Sequence, residues 1–81
     1  MVKLSDIIRQ DAEYARNVNI EVDERRDTVA IGPEDETGIF LQGEDGYEFI
    51  VKARELYEKA QDVTMEECYA SAARPYIDCL L

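Results

Sequence analysis

Eighty-one residues are enough for one domain and leave no room for a deep enclosed cleft, because a chain this short buries only about 60–65% of its unfolded surface. Nineteen acids against nine bases give a net charge of −10 and a pI near 4.3, which excludes a conventional nucleic-acid binder and a protein that docks on anionic membranes. Histidine is absent, so imidazole catalysis, Ser–His or Cys–His pairs and His-based metal sites are excluded too.

Apolar residues recur at regular spacing through most of the chain, the pattern of a folded protein despite its charge. The first element is a helix. Ser5 is the expected N-cap, Leu4, Ile7, Ile8, Ala12 and Ala15 share a face, and Asn17 is the expected stop. The period then changes to two. Val18, Ile20 and Val22 alternate with Asn19, Glu21 and Asp23 as a half-buried strand over 18–23. Asp23–Glu24–Arg25–Arg26–Asp27 is a turn, and Thr28–Ile31 is a second strand with Val29 and Ile31 inward, ended by Gly32–Pro33. After the polar loop Glu34–Asp35–Glu36, Thr37–Gln42 forms a third strand with Ile39 and Leu41 in the core. The short connections imply an antiparallel meander.

Gly43–Glu44–Asp45–Gly46 breaks the strand. Asp45 with Glu48 resembles a capping box opening a second helix, whose buried face is Phe49, Ile50, Ala53, Leu56, Tyr57 and Ala60. Thr64 with Glu67 opens a third helix along Met65, Cys68, Tyr69, Ala72 and Tyr76. Pro75 is expected to kink or end it, with Ile77, Leu80 and Leu81 folding back as an apolar tail. The fold class is therefore α+β: a helix, a three-stranded antiparallel sheet, then two C-terminal helices packed on one sheet face, as a single domain over 1–81.

No run approaches the ~18–20 apolar residues of a membrane span, and MVKLSDII lacks the apolar core of a signal peptide, so a cytoplasmic location is expected. Cys68 and Cys79 form no CxxC pair and read as free thiols, with a disulfide or an intermolecular link as the alternatives. The acidic runs 34–36 and 44–48 carry oxygen ligands but lack the spacing of an EF-hand loop. No cofactor and no catalytic residue is expected. Carboxylate catalysis needs one desolvated partner, and these acids sit in polar loops.

The charge is concentrated. Residues 21–48 hold ten acids against Arg25 and Arg26, which is −8 of the −10. In the second helix Lys52, Arg54 and Lys59 balance its acids. Asp62, Glu66 and Glu67 have a structural reason at the start of the third, where the helix dipole favours them. The sheet and its turns have no such reason, and clustered like charges cost stability. Carboxylates ~6.6 Å apart along a strand face match the scale on which phosphates repeat along a nucleic acid. The expected partner is a basic protein surface that normally binds nucleic acid. The expected contact residues are Asp23, Glu24, Asp27, Glu34, Asp35, Glu36, Glu44, Asp45, Tyr47 and Glu48, with Tyr47 the exposed aromatic. The alternatives are acidity for solubility or salt tolerance, and an adaptor subunit, dimeric through the apolar end 76–81.

Leu4–Ser5–Asp6–Ile7–Ile8–Arg9 followed by Asp23–Glu24, Glu34–Glu36 and Glu44–Asp45 resembles, in element order and composition, the small acidic phage anti-CRISPR proteins of the DNA-mimic kind. The resemblance implies inhibition by occupancy: the chain would fill the DNA-recognition groove of a CRISPR effector complex and block target DNA. Arg25 and Arg26 depart from a purely anionic patch.

Overall fold

A computed structural model describes residues 2–33 and 38–80. The element order is α1 (Leu4–Tyr14), β1 (Val18–Asp23), β2 (Thr28–Pro33), β3 (Ile39–Leu41), α2 (Gly43–Lys59) and α3 (Met65–Leu80), which is the α+β order expected. The strands form one antiparallel sheet in the order β1-β2-β3. In the register, Ile20 lies opposite Ile31, Val22 opposite Val29 and Leu41 opposite Val29, so the apolar residues of all three strands share one face. α2 and α3 cover that face and α1 packs along α3. Ile8, Val29, Ile31, Ile50, Ala53, Cys68 and Ile77 lie at its centre, each at most 2% exposed. Burial of each large aliphatic side chain among them contributes roughly 1.5–3 kcal/mol.

Several boundaries differ from the sequence expectation for identifiable reasons. The N-cap of α1 is Lys3, whose carbonyl accepts from the Asp6 and Ile7 N–H groups; Ser5 lies inside the first turn. The helix stops at Tyr14, with Ala15 as C-cap, ahead of Asn17. Ile7 is 44% exposed, because α1 buries the narrower stripe Leu4, Ile8, Ala12 and Ala15 against α3. β2 continues through Pro33, which owes β1 no N–H because it and Val18 form a non-hydrogen-bonded pair, the Val18 N–H turning outward to the Ala15 carbonyl. β3 is only three residues long; the expected Thr37 lies outside the described residues.

α2 begins at Gly43, so Asp45 is within its first turn and the Asp45–Glu48 capping box does not form. Gly43 supplies the change of direction with φ +62°. Tyr57 is 48% exposed at the edge of the apolar stripe. The second capping box does form: the Glu67 N–H donates to Thr64 Oγ1 at 3.1 Å, and the Thr64 N–H to Glu67 Oε1 at 2.9 Å. α3 runs through Pro75 without a break. An interior proline costs about 3 kcal/mol, here outweighed by contacts on both sides of it. Before it, Ser71 and Arg74 are tied to α1. After it, the Tyr76 ring meets Phe49 at 6.2 Å and Ile77 is 1% exposed. Ile77 is therefore core and no tail folds back; Leu81 lies outside the described residues. Tyr76 is half-buried and Ile77 buried within the fold.

Both cysteines are free, Cys68 buried and Cys79 exposed. Among the described residues no helix is long and apolar enough to cross a membrane.

Candidate acidic interface

Two acidic segments some twenty residues apart in sequence meet at one end of the molecule. The first is the β1–β2 turn. Its Asp23 carboxylate accepts from the Arg25 N–H at 3.0 Å, the Asp23 carbonyl accepts from the Arg26 N–H, and Asp27 closes the turn at φ +54°. Aspartate tolerates this left-handed conformation better than most residues. The second is the first turn of α2. Gly46 packs against the turn so closely that a β-carbon there would sit 1.8 Å from the Asp27 carbonyl oxygen and 3.4 Å from that of Leu41. Only glycine permits this approach, which brings the β1–β2 turn at Asp27 against the first turn of α2, where Glu44 and Asp45 stand.

These carboxylates are not equivalent. Glu24 accepts from the Tyr69 hydroxyl at 2.9 Å and pairs with Arg54 at 3.4 Å. Burial, with the Glu24 contact second, raises the Tyr69 pKa above 10.0. Asp23 lies 3.9 Å from Arg26. Asp27 is half-buried, whereas Glu44 and Asp45 are exposed and have no ion pair among the described residues. The α2 dipole favours both acids. Glu48, one turn on, is exposed on the flank facing α3, where it shares a shallow depression with Lys52, Pro75 and Tyr76. Tyr47 is 54% exposed, seven residues before Arg54 and so on the same stripe of α2.

Glu34, Asp35 and Glu36 lie outside the described residues. Their neighbours Pro33 and Gly38 are at the far end of the sheet from the β1–β2 turn, about four strand residues or ~13 Å from Val29. The α2 start that carries Glu44, Asp45 and Tyr47 meets the β1–β2 turn at Asp27, Glu24 is drawn to Arg54 and Tyr69, and Glu48 stands on the flank facing α3.

Local sequence reading does not reveal Arg54 and Tyr69 as the groups holding Glu24, because they follow it by 30 and 45 positions. The same is true of a network joining α1 to α3. Asp11, with its side chain 15% exposed, accepts from Ser71 Oγ at 2.7 Å and Arg74 Nη1 at 2.8 Å. The Arg74 guanidinium lies 3.6 Å from the Tyr14 ring centroid, and the Tyr14 hydroxyl donates to Asp78. That hydrogen bond is the main cause of a raised Tyr14 pKa. Among the described residues no group of three or more acids or cysteines converges as a metal site. No family model matches the chain, and neither the curated proteins nor the solved structures contain a match.

Proposed function

We propose that the protein is an acidic nucleic-acid mimic that occupies a cationic groove on another protein and carries no reaction of its own. The observation that carries the reading is the Gly46–Asp27 contact. It holds two acidic segments together although their mutual repulsion opposes the packing, and it leaves Glu44 and Asp45 without an internal cation among the described residues. A surface acidic only for solubility gains nothing from such juxtaposition; charges spread evenly serve that purpose at lower cost. Arg54 and Arg26 partly neutralise Glu24 and Asp23, so the exposed focus of the proposed interface is Glu44, Asp45 and Tyr47.

The likeness in element order and composition to DNA-mimic anti-CRISPR proteins supports one owner for the groove, the DNA-recognition channel of a CRISPR effector complex. The test is competition between this protein and duplex DNA for such a complex. Binding should exclude the DNA and weaken as salt rises, because screening shortens the reach of exposed charges. Glu44→Lys with Asp45→Lys should weaken it at least about tenfold, or ~1.4 kcal/mol. Separate reversal of Glu34, Asp35 and Glu36 reports whether that acidic segment contributes. Simultaneous binding of protein and DNA, or an unchanged affinity in a folded Glu44→Lys/Asp45→Lys variant, would refute the proposal.

A further inference from the structure

A second surface lies away from the acidic end and does not depend on the function proposed above. β1 is an edge strand, and the direction of its backbone groups follows from its neighbours. The Ile31 carbonyl accepts from the Gly38 N–H, so Ile31 turns its polar groups toward β3. Its opposite residue on β1, Ile20, therefore turns its own groups away from β2, as do Val18 and Val22 by the alternation of an antiparallel ladder. The Val18 N–H is taken by the Ala15 carbonyl. The N–H and C=O of Ile20 and Val22 and the Val18 C=O remain along the outer edge, with no strand among the described residues to receive them.

An open groove runs along this edge. Val18 and Ile20 line it together with Asn19, whose side chain belongs to the opposite face of the sheet. Its other wall is made of Ala12 from α1, the C-cap Ala15 and Ala70 from α3, whose small side chains leave room for an incoming residue. Thr64, Glu66 and Glu67 stand at its rim, with Arg16 at one end.

We propose that this edge and groove bind an extended segment of a partner protein in which apolar residues alternate with Lys or Arg, added as a fourth strand. Backbone pairing with Ile20 and Val22 supplies the main-chain contacts, alternate apolar side chains fill the alanine-walled groove, and the cationic residues, projecting to the opposite face, meet Glu21. Charge complementarity selects this occupant over a second copy. Two chains of net charge −10 paired through β1 with their apolar faces aligned bring Glu21 of one copy against the acidic β1 of the other.

The probe is a blocked heptapeptide of alternating Lys and Val, with two isomers N-methylated at alternate backbone positions. The parent should bind one to one and slow hydrogen exchange at the Ile20 and Val22 amides. One methylated isomer should lose at least about tenfold in affinity and the other should not, because only one set of peptide N–H groups faces β1. Glu21→Lys should weaken the parent about fivefold. Val22→Pro, which removes a donor the fold does not use, should reduce binding more. Glu44→Lys with Asp45→Lys should leave it unchanged, which separates this site from the acidic end. Equal binding of both methylated isomers, no protection at Ile20 and Val22, or a β1-paired dimer in sedimentation that the peptide does not dissociate would overturn the proposal.

Discussion

Gly46 has two opposing tendencies. In an exposed helix, alanine is preferred over glycine by about 1 kcal/mol, yet here a β-carbon would overlap the Asp27 carbonyl oxygen. Backbone on both sides cannot yield as a flexible side chain can, so the clash wins. Gly46→Ala should lower stability by about 2–3 kcal/mol in urea unfolding, the range of forced overpacking. Gly43→Ala meets nothing within 4 Å and pays only for its positive φ, about 1 kcal/mol; equal losses at the two sites would contradict the packing argument. The cysteines differ as sharply. Burial, and next the neighbouring Glu67, raises the Cys68 thiol above its ordinary pKa of 9.0. An aromatic disulfide reagent should therefore titrate Cys79 alone in the native protein and both thiols in denaturant. Because the folded state holds the Cys68 proton more tightly, its contribution to stability is complete below pH 9.0 and is lost as the pH rises from there through the folded pKa. The raised Tyr69 acts in the same direction above pH 10.0. Unfolding free energy should accordingly fall on the alkaline side of pH 9, and a flat profile between pH 9 and 11 would refute this.

α1 depends on the network at Asp11 more than on its own length. Eleven residues are too few for an independently stable helix, and its N-cap makes no side-chain hydrogen bond. Asp11→Asn keeps the shape but removes the charge that Ser71 and Arg74 share, and should cost about 1–2 kcal/mol. The value stays at the lower end because Arg74 is 36% exposed and retains Asp78 at 3.5 Å. The test is a lower urea midpoint at unchanged slope; no shift would make the network a surface contact of little weight. This dependence also explains what was legible in the sequence. β1 was readable to its ends because a strand with one buried face alternates strictly, and Val18, Ile20 and Val22 announce it. The Thr64–Glu67 box was readable because its partners lie three residues apart. The start of α2 misled because Asp45 and Glu48 have the same spacing, while the helix was started earlier by the left-handed Gly43. The passage of α3 through Pro75 and the partners of Glu24 were not legible. Each is decided by contacts from another element, which leave no trace at short range.

Charge acts on the whole molecule in two opposite senses. The chain spans 35 × 26 × 17 Å, so at 0.1 M salt, with a Debye length of ~10 Å, an exposed carboxylate interacts with those at its own end and little with those across the molecule. Where the β1–β2 turn meets α2, repulsion among the acids of the two segments acts on the same groups proposed to hold the partner. Raising sodium chloride from 0.1 to 1 M shortens the screening length to ~3 Å. If relief amounts to about 1 kcal/mol, the midpoint of thermal unfolding should rise by roughly 4–8 °C for a domain of this size. Chloride is the appropriate anion, since sulfate strengthens apolar burial regardless of charge. Replacing Glu44 and Asp45 with Gln and Asn should reduce this salt response, though each loses a favourable interaction with the α2 dipole. Over the same salt range, affinity for a cationic groove should fall. Stabilisation of the fold together with weakening of the complex, both diminished in the Gln/Asn variant, is the signature of one set of carboxylates serving both effects. A salt response of the fold that survives their removal would place the repulsion elsewhere on the surface.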